Sequence, residues 1–264
     1  YIMDLGLKGK VIIVTGGARG IGGGISKALA AEGAIPAIVG RDEADNLVMV
    51  KDIESAGGKA FQTVAELTVP AQCKQAVAAI IKEFGRIDGL VNNAGVNDGI
   101  GLENGSYEGF MSSLHKNVVH YYLMAQHALP ELKKSKGAIV NITSKVADTG
   151  QGNTSAYAAA NGARNALTRE WAVELLKYGI RVNAVAVAEC WTPLYENWIN
   201  NLPNPAEKRA EIEAKIPFEN RMTTCEEIAN GVVFLLSERS SHTTGQLVHI
   251  DGGYVHLDRA LAGA

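Results

Sequence analysis

Residues 11–34 read VIIVTGGARGIGGGISKALAAEGA. A β-branched apolar run passes through closely spaced glycines straight into an alanine-rich helical pattern. Such a junction predicts a strand–turn–helix unit whose helix N-terminus stays open to an anion. Gly16, Gly20 and Gly22 permit the tight turn, the close approach of backbone to a pyrophosphate, and close helix packing. The N–H groups of the first helical turn, beginning at Ile21, and the helix dipole then favour the phosphates.

The same rhythm runs almost to the end of the chain. Apolar runs predict strands over 10–16, 35–40, 59–65, 87–93, 137–143, 180–187 and 246–251. Helical patterns lie between them, near 21–32, 43–56, 70–84, 107–134, 155–177 and 224–236. Continuous apolar strands alternating with helices predict an α/β protein, a doubly wound parallel sheet of about seven strands with helices on both faces. No low-complexity linker divides the chain, so 1–264 is expected to be a single dinucleotide-binding domain. Residues 192–221 are rich in charge and proline and break the rhythm. Inserted after the sixth strand, they are expected to form a helical substrate lid beyond the carboxyl ends of the strands.

Composition narrows the classes of partner. The chain has 264 residues, 47% hydrophobic and 20% charged, with a formal net charge of −3. That slightly acidic balance, without basic runs, argues against a nucleic-acid partner. Cys73, Cys190 and Cys225 are odd in number and far apart in sequence, which predicts neither a disulfide framework nor a metal site and suits a reducing cytoplasm. No apolar run is long enough for a membrane span, and the first residues lack a secretory pattern.

Several ordered motifs follow the glycine loop. They are Thr15-Gly16-x-x-x-Gly20-Ile21-Gly22, Asn92-Asn93-Ala94-Gly95, Asn117 in the fourth helix, Ser144 after the fifth strand, and Tyr157 thirteen residues later. Thr192 follows the sixth strand and Asp251-Gly252-Gly253 the seventh. In this order and spacing the chain resembles the classical short-chain dehydrogenase/reductase family over nearly its whole length. The resemblance implies a Rossmann-type fold that binds NAD or NADP, with Asn93, Gly95 and Thr192 also on the cofactor. It further implies Tyr157 as the acid/base, Ser144 as hydrogen-bond partner of the reacting oxygen, and Asn117 as holder of a water in the proton path.

The choice of cofactor turns on charge. About twenty residues after the glycines, a carboxylate would bind the adenosine ribose and select NAD. Gly40 stands there, with Arg41 next, and Arg19 lies inside the glycine loop. Both arginines suit a 2′-phosphate, so NADP is expected, with NAD as the alternative if Asp42 takes the ribose. The adenine amino group is expected at Glu66 or the Leu67 backbone, where the family usually has an aspartate.

One position departs sharply from the family. Asn161 stands four residues after Tyr157, where the resemblance calls for lysine. A free tyrosine has a pKa of about 10, so roughly one in a thousand is ionised at pH 7. The family's lysine favours the phenolate by its charge and also bonds the nicotinamide ribose. Asn161 is expected to keep part of the ribose contact but supplies no charge, and general acid–base assistance is worth about 10²–10⁴-fold. Of nearby cations, Lys145 is expected to face away from Tyr157. Arg164 is expected in solvent or in an ion pair. Val187-Ala188 likewise replace the family's usual Pro-Gly beside the nicotinamide.

The segments SKVADTGQGNTSAYAA and ECWTPLYENWI, and the tail with Arg259, resemble a narrower branch typified by bacterial L-fucose dehydrogenases. That resemblance implies oxidation of the anomeric hydroxyl of an aldose to its lactone. Asn97, Asp98, Gln151, Asn153, Glu189, Tyr195 and Trp198 form the expected pocket, polar with an aromatic wall, which suits a sugar. Two alternatives stand beside this reading. One is a hydroxysteroid or other secondary-alcohol dehydrogenase; the other is an NAD(P)-binding protein with turnover impaired by Asn161. The family resemblance also implies a homotetramer built on helices 107–134 and 155–177 and the last strand.

Overall fold

The computed structural model describes residues 3–257, so Arg259 lies outside the described residues. The chain opens with β1 (Val11–Thr15), α1 (Gly20–Ala31), β2 (Ile35–Gly40), α2 (Glu43–Ser55), β3 (Phe61–Val64), α3 (Pro70–Phe84) and β4 (Gly89–Asn92). Then come α4 (Tyr107–Leu114), a π-helical turn over His115–Val119, α5 (His120–Ser135), β5 (Ala138–Ser144), α6 (Ser155–Glu174) and β6 (Arg181–Val187). The last part holds β7 (Cys190–Trp191), α7 (Pro193–Asn200), α8 (Pro205–Glu213), β8 (Thr223–Thr224), α9 (Cys225–Leu236) and β9 (Leu247–Ile250).

Seven strands form one parallel sheet in the order β3-β2-β1-β4-β5-β6-β9. Every residue of β1 and β4 is buried, because helices cover both faces. On one face α1 and α9 bring Ile25, Leu29, Ile228 and Val232 against Val14 and Val91. On the other, Tyr121 and Met124 of α5 and Trp171 of α6 join Ile13 and Leu90. The strand order reverses between β1 and β4, and the crevice at their carboxyl ends is where open α/β sheets bind ligands.

Local chemistry sets the helix ends. Asp42 caps α2 by accepting from the Asp45 N–H over 3.0 Å, and Thr224 with Glu227 forms a capping box on α9. Pro70 opens α3 and Gly85, at φ +67°, ends it. The helix expected over 107–134 is not continuous. The π-helical turn at His115–Val119 separates α4 from α5, and the buried Asn117 sits inside it. Such turns are frequent at functional sites, and no hydrophobic period announces them.

Candidate active site

A cavity of about 990 Å³ opens at the crevice. At its phosphate end, Gly16 and Gly20 hold φ values of +63° and +53°. A Cβ on Gly22 would lie 2.1 Å from the Gly16 carbonyl oxygen, so this turn admits glycine alone. The loop is tied to β4 through Thr15, whose Oγ1 accepts from the N–H groups of Asn93 (2.9 Å) and Ala94 (3.1 Å). Asn93 Nδ2 donates back to the Thr15 carbonyl over 2.9 Å. The N-cap residue Arg19 makes no side-chain cap on α1, which leaves the first N–H groups open to an anion. This cradle fits a dinucleotide pyrophosphate.

The adenosine end is lined by Arg19, Gly40, Arg41, Glu66 and Leu67. A Cβ on Gly40 would meet Asn46 Oδ1 at 2.5 Å, so a ribose-binding carboxylate there would require the Asn46 side chain to shift. Asp42 has its side chain committed to the α2 cap, away from the ribose role considered for it. Both arginines have acidic neighbours: Arg19 pairs with Asp45, and Arg41 Nη1 lies 3.9 Å from Glu66 Oε2. Glu66 Oε1 accepts from the Thr68 N–H and hydroxyl at 3.1 and 2.9 Å. The Thr68 N–H, more than the Arg41 charge, holds the Glu66 carboxyl below the usual range.

At the other end Ser144, Tyr157 and Thr192 line the same cavity. Ser144 closes β5, and its Oγ accepts from the Val146 N–H over 3.4 Å. Thr192 caps α7 by accepting from the Tyr195 N–H over 3.1 Å. α6 is seated on β5 by side-chain hydrogen bonds. Thr143 Oγ1 donates to the Asn161 carbonyl (3.4 Å), and Asn141 Nδ2 donates to Thr168 Oγ1 (3.0 Å). This register turns Tyr157 toward the crevice.

Asn161 is placed otherwise than expected. It is fully buried and forms no part of the cavity wall. Its Nδ2 donates to the Tyr157 carbonyl over 2.8 Å and its Oδ1 accepts from Arg164 Nη1 over 3.0 Å. Arg164, expected in solvent or an ion pair, is 3% exposed and lines the cavity. Seven residues separate it from Tyr157, which returns it to the same helix face, and its side chain leans toward the helix N-terminus. That periodicity was the available signal. Asn117 is also committed: Oδ1 accepts from the Val96 N–H (2.8 Å), Nδ2 donates to the Val96 and Ser113 carbonyls (both 2.9 Å), and its own carbonyl accepts from Arg164 Nε (2.6 Å).

The substrate end is more closed than the sequence suggests. Lys145 and Glu189 form a buried ion pair, the Tyr195 hydroxyl donates to Glu189 Oε2 over 2.6 Å, and Trp198 meets the Tyr195 ring edge to face at 5.3 Å. Burial first, and then Glu189, push the Tyr195 hydroxyl well above its usual range, so it remains a donor. Tyr195 lines the cavity with Leu194 and Asn197 of α7. Gln151, Asn153, Glu189 and Trp198 stand outside its wall; Gln151, Asn153 and Asn97 are exposed loop residues. Asp98 does line it, accepting from Ser113 Oγ over 2.7 Å. The buried His120 lines it too and had no sequence signal; burial holds its imidazole at about 4. Cys190 and Cys225, distant in sequence, bring their Sγ atoms within 3.9 Å as free thiols.

Comparison with known proteins agrees with this geometry. A family model described as "Enoyl-(Acyl carrier protein) reductase" matches residues 16–255. The L-fucose dehydrogenase of Bos taurus is 36% identical over 246 residues, covering 93% of this chain and 89% of its own length. The crystal structure of Cj0485 dehydrogenase superposes with a TM-score of 0.93 at 48% identity, covering 98% of this chain and 99% of its own. Ligand-free aldohexose dehydrogenase of Thermoplasma acidophilum superposes with a TM-score of 0.85 at 30% identity, over 96% of each chain. The chain belongs to the short-chain dehydrogenase/reductase family, NAD(P)-dependent oxidoreductases acting on CH–OH groups.

Proposed function

We propose that this chain oxidises the anomeric hydroxyl of an aldose to the lactone, with L-fucose the first substrate to test. The observation that carries the reading is the placing of Ser144 and Tyr157 in one cavity with the glycine loop. NADP or NAD, held by the glycine loop, Thr15 and Asn93, would supply the acceptor for the hydride of the anomeric carbon. Tyr157 accepts the proton of the hydroxyl on that carbon, and C–O becomes C=O. Ser144 Oγ accepts weakly from Val146, so its hydrogen is available to the same sugar oxygen and fixes its position.

A sugar is favoured over a steroid by the polar cluster bordering this end. Tyr195, whose hydroxyl is held by the Lys145–Glu189 pair behind it, lines the cavity with Asp98 and Asn197, where a steroid needs an apolar slot. The L-fucose dehydrogenase and aldohexose dehydrogenase relatives point the same way. α7 supplies Leu194, Tyr195 and Asn197 to the wall, and with α8 it serves as the substrate lid. Gly40 and the exposed Arg41 favour NADP, with NAD accepted because Glu66 and Asp45 offset the two arginines. The exposed Tyr122 on α5 and Val173 on α6 suit the homotetramer contacts of these helices.

The test is a panel of aldoses and hydroxysteroids offered with NADP and with NAD, with the product identified. Lactone formed from L-fucose or a related aldose supports the reading. Turnover confined to steroid or simple secondary alcohols overturns it.

A further inference from the structure

We infer that Arg164 is the positioning cation of the Tyr157 site, replacing from one turn along α6 the lysine that the family carries at position 161. Asn161 is then the holder of that cation rather than a gap. The inference rests on the proposed role of Tyr157 as proton acceptor.

Arg164 makes four hydrogen bonds, and every acceptor is neutral. Nε donates to the Asn117 carbonyl (2.6 Å), Nη1 to the Ile142 carbonyl (3.2 Å) and Asn161 Oδ1 (3.0 Å), and Nη2 to Asn117 Oδ1 (3.4 Å). Among the described residues no carboxylate pairs with it. A buried cation without a counter-ion is costly, and it favours any group nearby that can become negative. Its Cζ lies 4.3 Å from the Tyr121 ring centroid and 6.0 Å from that of Tyr157. The Tyr121 hydroxyl, fully buried, donates to the Ile142 carbonyl over 3.1 Å, and burial drives its pKa far upward. Tyr157 is half-buried and lines the cavity, so it is the phenol placed to meet substrate.

The surroundings are shaped to keep the guanidinium there. A Cβ on Gly95 would stand 2.7 Å from Nη2, so the glycine of the Asn-Asn-Ala-Gly motif leaves space for the charge. The π turn carries the Asn117 carbonyl onto Nε. Among the described residues one Nη2 hydrogen has no acceptor, and Arg164 is part of the cavity wall. Lys145, which follows Ser144 in the chain, is held by Glu189.

The experiment compares pH–rate profiles for aldose oxidation in the intact chain, Arg164→Gln, Arg164→Lys, Asn161→Lys and the double variant Asn161→Lys/Arg164→Gln. Thermal unfolding checks that each folds. A lost cation matters most where the phenol is hardest to ionise. Arg164→Gln is expected to slow turnover roughly tenfold to a hundredfold near neutrality, with the deficit shrinking as pH rises. Arg164→Lys keeps most of the intact profile, and the double variant recovers it. In the protein without cofactor, the tyrosinate absorbance lost in Tyr157→Phe develops at higher pH in Arg164→Gln. A pH-independent deficit, no deficit, or a hundredfold gain from Asn161→Lys alone overturns the inference. Turnover that survives Tyr157→Phe overturns the proposed function instead, and the absorbance measurement still judges Arg164.

Discussion

Arg164 Nη1 donates to Asn161 Oδ1 over 3.0 Å, and the same amide donates from Nδ2 to the Tyr157 carbonyl over 2.8 Å. One buried amide therefore ties the Tyr157 turn of α6 to the turn that bears the guanidinium. Asn161→Ala removes an acceptor from a buried charge and leaves a gap. Unfolding in denaturant should show a loss of about 1–3 kcal/mol. Little change in stability would mean that the amide holds nothing.

Gly95→Ala should disturb the same centre from the opposite wall. The added Cβ meets Arg164 Nη2 at 2.7 Å and Asn117 Oδ1 at 2.9 Å. Misplacing a catalytic constellation by about an ångström costs up to roughly a hundredfold. Turnover is expected to fall by that order while the variant still unfolds cooperatively. Unchanged turnover would show that the guanidinium has room to spare.

His120 gives a pH signature in stability. Burial depresses its imidazole to about 4 from the ordinary 6.5, so the unfolded chain binds the proton more readily. This contribution is complete above pH 6.5 and is lost as pH falls toward 4. The shift corresponds to roughly 3 kcal/mol at 1.36 kcal/mol per unit. Denaturation at a series of pH values should show that decline, and His120→Gln should remove this part of the slope. A variant as acid-sensitive as the parent would place the effect elsewhere.

Arg41→Ala separates the two cofactors. Arg41 is mostly exposed and loosely opposed by Glu66 at 3.9 Å, so it is available to a 2′-phosphate. The variant is expected to lose roughly tenfold or more in kcat/KM for NADP and little for NAD. Equal loss for both would assign Arg41 a structural part in the β2–α2 turn.

Much of the fold could be read from residue pattern. The buried strands lie within a residue or two of the predicted runs, because helices on both faces make them continuously apolar. The glycine loop was legible because its backbone geometry admits so few residues, as Gly22 against the Gly16 carbonyl shows. Side-chain direction was less legible. Spacing matches Asn161 to the family's lysine, yet its short amide ends inside the helix packing. Arg164 is one turn further along, but arginine is long and leans back along the helix. Polar loop residues such as Gln151 and Asn153 gave no periodicity from which to infer that they stand outside the cavity wall.

The most direct test of the account measures dinucleotide affinity and aldose oxidation side by side for the intact chain and Tyr157→Phe. The proposed cofactor cradle is built by the glycine loop, Thr15 and Asn93, while the proposed proton acceptor, Tyr157, is a separate group on α6. Tyr157→Phe should therefore lower turnover by about 10²–10⁴-fold and change cofactor affinity only a few-fold. Turnover that persists without the hydroxyl would contradict the account.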